Sequence, residues 1–305
     1  MLALVTGGNG FIGSGLVDRL RESGYRIRVL DRSAPRSDVD WRGVDYVTGS
    51  LTEAGALVSL LEGVDIVFHL ASSTVPSTSN LDPVEDVQSN LIGALNLCGA
   101  MIKAGMRRLV FFSSGGTVYG NPRTLPVPEF HALHPISSYG VVKVAIEKYL
   151  QMYEQLGYLD PLIIRPSNPY GPRQSSAGVQ GFIAAILGKA CSGEGVRIWG
   201  DGEIVRDYLH IDDLLSFAVA AGASRLTGPV NVGSGKGYTL NKIVDIVREI
   251  TGSRLPVRYA PARQYDVAEI VLDISRATVE FDWCPKIELA VGIRTTWAAI
   301  CRRNW

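Results

Sequence analysis

Along the first half of the chain, short aliphatic and β-branched runs alternate with stretches whose apolar positions recur at helical spacing, beginning at the second residue. Residues 3–6, 27–30, 45–48, 66–70, 109–113 and 162–165 read as strands. Residues 13–23, 54–62, 84–104 and 139–155 lie between them and read as helices. Such alternation predicts parallel strands joined by crossover helices. The fold class is therefore α/β, a doubly wound parallel sheet with ligands expected at the carboxyl ends of its strands. From Pro166 onward the alternation weakens, because Pro, Gly and Asn cluster in residues 166–172, and the later elements predict a smaller C-terminal lobe. The chain is expected to return to the sheet near residues 208–223. The expected division is a sheet-bearing domain at 1–165 with a return segment at about 204–230, and a ligand-binding lobe at 166–203 and 231–305.

Composition narrows the function classes. A chain of 305 residues with 46% hydrophobic side chains can bury a sizeable core, which excludes disordered and fibrous classes. Thirty basic and thirty acidic side chains cancel, so no global field favours nucleic acid or an anionic membrane, and any anion site must be local. Cys98, Cys191, Cys284 and Cys301 form no C-x-x-C pair and only four His are present, so neither a disulfide framework nor a metal site is expected. The first apolar run ends after four residues, too short for a signal peptide or a membrane span, and the expected compartment is the cytoplasm.

The first chemical motif is Gly7-Gly8-Asn9-Gly10-Phe11-Ile12-Gly13, placed between a strand and a helix. Glycines there permit a tight turn and let backbone N–H groups meet a pyrophosphate at a helix N-terminus. Asp31 closes the second strand 18 residues after Gly13. A carboxylate there can accept from ribose hydroxyls and repels a 2′-phosphate, so the pattern points to NAD; Arg32 and Arg36 keep NADP as the other reading. The second motif is Tyr139-Gly140-Val141-Val142-Lys143 at the start of a helical stretch. Four-residue spacing stacks the phenol and the ammonium on one face. A neighbouring cation is expected to favour the phenolate and lower the tyrosine's pKa, so that the pair can remove a proton from a hydroxyl while hydride leaves the same carbon.

Taken together these residues resemble the extended short-chain dehydrogenase/reductases, in particular the nucleotide-sugar epimerases and dehydratases. The resemblance covers nearly the whole chain. Besides the glycine loop and Tyr139/Lys143 it rests on His69-Leu70-Ala71, Asn90, Ser113-Ser114 through Tyr119-Gly120, and Arg165-Pro166-Ser167-Asn168-Pro169-Tyr170-Gly171-Pro172. Gly200-Asp201-Gly202, Arg206-Asp207-Tyr208, Asp212-Asp213, Asn231-Val232-Gly233, and Arg263 with Asp266 continue it. It implies a Rossmann-type sheet. It also implies NAD contacts from Gly7, Gly10, Phe11, Ile12, Gly13, Asp31, Arg32, Ser50, Leu51, Leu70, Ala71, Ser72, Asn90, Ser113, Tyr139, Lys143 and Pro166. For a nucleotide-sugar substrate, typically a UDP-sugar, it implies Asn168 on a phosphate, Arg206 and Arg263 as diphosphate clamps, Asp266 on the ribose and Trp199 beside the base. Thr117, Tyr139 and Val179 complete that substrate set, and Ile270 falls near the position that gates room for an N-acetyl group. His69 and His210 are expected to be structural.

Two positions depart from the family pattern. Gly115 stands where a catalytic Ser or Thr is usual, so the hydroxyl must come from Ser114 or Thr117, with Thr117 the expected helper and Tyr139 the indispensable base. Ser50 stands where an aspartate commonly receives the adenine amino group, and its hydroxyl accepts less strongly. Gly116 and Thr117 occupy the place of the dehydratases' acid pair, so the resemblance implies a 4-epimerase. A nucleotide-4-keto-sugar reductase or a silent dinucleotide-binding sensor are the other readings. It further implies a homodimer through the helices at 84–104 and 139–155.

Overall fold

In this computed structural model residues 1–175, 181–262 and 267–303 are described. In chain order its strands are β1 (Leu2–Thr6), β2 (Arg26–Asp31), β3 (Val44–Thr48), β4 (Ile66–His69), β5 (Arg108–Phe112), β6 (Asp160–Pro166), β7 (Asn168–Tyr170), β8 (Val196–Trp199), β9 (Val205–His210), β10 (Gly228–Val232), β11 (Gly237–Thr239), β12 (Val257–Ala260) and β13 (Glu269–Ile270). The helices are α1 (Phe11–Glu22), α2 (Ala54–Leu60), α3 (Pro83–Asp86), α4 (Gly93–Lys103), α5 (Ser138–Gln155), α6 (Phe182–Ser192), α7 (Ile211–Ala223), α8 (Leu240–Thr251), α9 (Ser275–Phe281) and α10 (Leu289–Arg303). A π-helical stretch, Val87–Ile92, joins α3 to α4.

The larger sheet runs in the order β10-β6-β5-β4-β1-β2-β3. Parallel registers link β1 to β2 and β4, β2 to β3, and β5 to β4 and β6. Every residue of β1 is buried, as a strand covered on both faces requires, which is why Leu2-Ala3-Leu4-Val5 reads as a continuous apolar run. The order reverses between β1 and β4, and that switch opens a crevice at the strands' carboxyl ends. Beneath it, Leu4, Leu30, Leu57, Val67, Leu97, Phe111, Ile146 and Ile163 belong to one apolar cluster.

The chain divides into two compact units: Met1–Val118, Ser137–Arg165 and Leu215–Val230 form one, and Tyr119–Ile136, Pro166–Leu214 and Asn231–Trp305 the other. In the second, β9 pairs with β7, β11 and β13, β8 pairs with β12, and α6, α8 and α10 contribute Ile183, Ile243, Val247 and Ile293 to a separate core. Helix α8 shows both end signals, the Thr239 hydroxyl accepting from the Lys242 N–H and Gly252 closing the helix at φ +67°.

The strands and helices expected over the first 165 residues are all present. Two boundaries differ from the expected division. Residues 119–136 join the second unit, because Val127 exchanges backbone hydrogen bonds with Val271 and Asp273 and its carbonyl accepts from Asn231. The stretch 204–214 joins it as well, since β9 is the central strand of that unit's sheet. Strand β10 was not anticipated: Gly228 and Pro229 at its start obscure the apolar signal, and its place at the sheet edge tolerates both.

Candidate active site

The glycine loop is built by close packing. A Cβ on Gly7, whose φ is +73°, would lie 2.7 Å from the Ala71 backbone, and one on Gly13 would lie 2.1 Å from the Gly7 carbonyl. No side chain caps α1, and its first turn, which begins with the partly buried Phe11 and Ile12, holds no acid. Its leading N–H groups and the positive end of the dipole therefore remain available to an anion. A groove at the ends of β1 to β4 is lined by Gly7, Asp31, Arg32, Ser50, Leu51, Ala71, Ser72 and Asn90, all expected from the sequence, and by Thr6, Leu30, Gly49, Ser73 and Ser89. Leu70 ties β4 to β1 by donating its N–H to the Thr6 carbonyl at 3.1 Å.

Asp31 is held as an acceptor. One oxygen takes the Asn9 N–H at 3.0 Å, and the other takes the Ser33 N–H and hydroxyl at 3.1 and 2.8 Å. The Asn9 amide reaches across to Ser33 Oγ (3.0 Å) and the Ala34 carbonyl (2.9 Å), and its oxygen accepts from the Arg36 N–H (3.0 Å). Arg36 places two guanidinium donors on Asp38, both at 2.8 Å, which pairs its charge; Arg32 borders the groove. The Ser50 hydroxyl lies 2.8 Å from that of Thr52 and accepts the Thr52 N–H at 3.2 Å. Close backbone approach, an open helix start and a carboxylate on the second strand fit NAD. Asp31→Ala should shift the ratio of NAD to NADP affinity toward NADP by about tenfold, read by fluorescence titration of both cofactors.

The tyrosine sits in a first turn whose N–H groups are capped by side chains. Ser137 Oγ accepts from Gly140, Ser79 Oγ from Tyr139 and Asn80 Oδ1 from Ser138, at 3.3, 3.0 and 2.8 Å. As a residue Tyr139 is partly exposed, but its phenol end lies among protein atoms. Burial pushes it up to about 12, a hydrogen bond with the Ser114 hydroxyl opposes this, and the Asp86 charge adds to it. The expectation that Lys143 would lower the phenol is thereby corrected. The ammonium donates to the Phe112 carbonyl at 2.9 Å and lies 5.5 Å from the Tyr139 ring centroid, so its charge is spent mainly on that carbonyl. Burial brings Lys143 down to about 8, while Glu147 and Asp86 hold it up.

Of the two hydroxyls expected as helper, Ser114 acts on the phenol and opposes the effect of burial, whereas Thr117 Oγ1 is buried with no hydrogen-bond partner among the described residues. Ser113, expected at the cofactor, donates its hydroxyl to Glu147. Glu147 in turn accepts from Arg165 Nε (3.1 Å) and an Arg165 terminal nitrogen (2.6 Å), with both side chains buried. Asn90 borders the groove, but its side chain is engaged by the Ser73 N–H, Thr74 and Asp86. His69 is structural, as expected: its Nδ1 lies 2.7 Å from Thr6 Oγ1, and burial lowers it to about 3, so it stays neutral. His210 is buried too, with Nδ1 accepting the Asp212 N–H at 3.3 Å.

In the second unit, Asn168 on β7 donates its amide to the Asp207 carbonyl at 2.9 Å, and Arg206 on β9 donates to the Val205 carbonyl at 2.9 Å. Trp199 ends β8 with the Arg197 guanidinium 6.0 Å from its ring. Pro166 and Ile270 are buried. Val179, Arg263 and Asp266 lie outside the described residues. Sequence reasoning assigned no role to three buried carboxylates. Asp207 gathers the N–H groups of Ser234, Gly235 and Leu272, and Asp86 and Glu147 flank the tyrosine–lysine pair. A charge inside an apolar strand or at four-residue spacing on a buried helix face was the available signal.

Residues 3–233 match the NAD dependent epimerase/dehydratase family. The UDP-glucose 4-epimerase of Mycolicibacterium smegmatis is 36% identical over 97% of this chain and 97% of its own. A solved UDP-glucose 4-epimerase from Thermotoga maritima, with UDP-glucose, is 35% identical, covers 100% of both chains and superposes with a TM-score of 0.95. The Thermus thermophilus UDP-glucose 4-epimerase, in complex with NAD, is 33% identical over 99% of both chains with a TM-score of 0.93.

Proposed function

The chain belongs to the NAD dependent epimerase/dehydratase family, and from that membership we propose that it is an NAD-dependent 4-epimerase of UDP-hexoses, with UDP-glucose and UDP-galactose or their N-acetyl forms as the pair interconverted. The observation that carries this reading is the enclosed Tyr139 phenol, on one helix face with buried Lys143, in the unit that also holds the dinucleotide groove. Gly116 and Thr117 leave no acid at the place where a dehydratase expels water.

NAD, when bound, supplies the centre that takes hydride from C4 of the sugar and returns it to the opposite face. Tyr139 accepts the 4-hydroxyl proton as the 4-keto sugar forms and gives it back as the carbinol is restored. Ser114 supplies the hydroxyl that stabilises the phenolate, while Lys143, on the same helix face, stays bonded to the Phe112 carbonyl. Arg206 and Arg263 are proposed to fork onto the diphosphate, with Asn168, Trp199, Val179 and Asp266 around the nucleotide and Thr117 toward the sugar. Val84, Val87 and Ile92, with Val141, Tyr149 and Met152 on α5, expose apolar surface that supports a homodimer through these helices. No helix among the described residues is long and apolar enough to cross a membrane, which supports the cytoplasmic assignment.

The test is to incubate the purified protein with UDP-glucose and with its N-acetylamino counterpart, without added reductant, and to follow C4 inversion by proton NMR. Conversion of either to an equilibrium mixture is expected. A protein that retains NAD and converts neither, or that instead consumes NADH with a nucleotide-4-keto-sugar, overturns the proposal.

A further inference from the structure

Asp86 touches both the loop that lines the dinucleotide groove and the helix that carries the tyrosine. It closes α3 just before the π-helical stretch, with no solvent exposure (0%). One oxygen accepts from Thr74 Oγ1 and from the Asn90 amide, both at 2.7 Å, and the other accepts from Ser138 Oγ at 2.6 Å. Thr74 and Asn90 belong to the groove side, because Asn90 also accepts the N–H of Ser73, and both Asn90 and Ser73 line the groove. Ser138 is the residue before the base. A buried carboxylate surrounded by uncharged donors costs desolvation that a mere loop clamp could avoid, since an asparagine could serve two of the same three donors. The charge itself is what distinguishes this choice. π-Helical turns recur at functional positions, and this one brings Asp86 and Asn90 into contact.

We propose that Asp86 is a positioning residue for proton transfer at Tyr139, fixing the phenol's turn through Ser138 and the groove loop through Thr74 and Asn90. The proposal rests on the epimerase reading for its kinetic consequence, though not for its geometry. The groups facing the phenol are Asp86 from α3, Ser114 after β5 and Lys143 on its own helix. Lys143 in turn faces Glu147, which is paired with Arg165, and neutral His69. The Asp86 charge favours the protonated phenol, so its removal must make the phenolate easier to form.

Asp86→Asn and Ser138→Ala test this on the full-length protein carrying NAD. Asp86→Asn should lower kcat for UDP-glucose by about tenfold, leave KM within about twofold and move the acid limb of the kcat profile to lower pH. Ser138→Ala should lower kcat by a smaller factor, about threefold, without moving the limb, because the charge stays. An Asp86→Asn limb that stays in place or moves to higher pH overturns the inference, as does a kcat loss explained wholly by lost NAD. If Asp86→Asn fails to fold, Ser138→Ala decides, and an unchanged kcat overturns the proposal. If the parent proves inactive on UDP-sugars, the functional reading fails separately, and hydrogen exchange at residues 138–142 carries the test. Both variants should speed that exchange by about tenfold or more, and unchanged exchange overturns the role of Asp86 whatever the substrate.

Discussion

Tyr139→Phe is expected to lower kcat for C4 inversion by about a thousandfold or more while the protein keeps its fold and its NAD. Phenylalanine preserves the ring and the first-turn caps from Ser79, Asn80 and Ser137, none of which uses the phenol oxygen. What disappears is the atom that holds the proton. Among the described residues no other group stands ready to replace it. Ser114 is a far weaker acid, Lys143 is directed to the Phe112 carbonyl, and His69 is buried against Thr6. With the phenol pushed up to about 12 by burial, the parent's activity should rise with pH through its acid limb, and the variant should lose that limb. Steady-state turnover measured alongside bound NAD checks the prediction, and a variant with parental kcat would remove Tyr139 from the chemistry.

The largest stability effect is expected at Glu147. Its carboxylate accepts from Arg165 and Ser113 while itself fully buried, so Glu147→Ala removes the carboxylate paired with the buried Arg165 guanidinium. Breaking such a pair from one side costs about 3–5 kcal/mol, which corresponds to a fall in Tm on the order of 10 °C for a domain of this size. Replacing both partners, Glu147→Leu with Arg165→Met, should recover most of the loss, because the penalty comes from the stranded charge. Thermal unfolding of the single and double variants separates these outcomes; a single variant as stable as the parent would show that the pair contributes little. Lys143 also loses one of the charges that hold it up, so Glu147→Ala should reduce kcat as well.

The sheet was legible because its central strands β1, β4, β5 and β6 are buried almost throughout, which leaves near-continuous apolar runs between amphipathic helices. The glycine loop, Asp31 and the Tyr139/Lys143 pair were legible for a related reason: each depends on local spacing within one or two neighbouring elements. What escaped depends on contacts distant in sequence. Nothing near Asp86 signals that Thr74 and Ser138 converge on it, 12 and 52 residues away. Spacing alone likewise could not rank Ser114 over Thr117, since the backbone between them turns back on itself, with the N–H groups of Thr117 and Val118 both directed to the Ser114 carbonyl. The effect of Lys143 on the phenol was misjudged because proximity on a helix face says nothing about which acceptor the ammonium chooses.

Asn9 stitches the turn after β1 to the end of β2 and the segment after it through four hydrogen bonds, one from its backbone to Asp31 and three at its side chain with Ser33, Ala34 and Arg36. The two walls that would grip the adenosine half of a dinucleotide are thus already mutually braced before anything enters. Little ordering entropy is then lost on association, so more of the contact energy goes into holding the ligand. An enzyme that regenerates its oxidant in every round has no need to exchange it, and this bracing suits a cofactor carried from one catalytic cycle to the next.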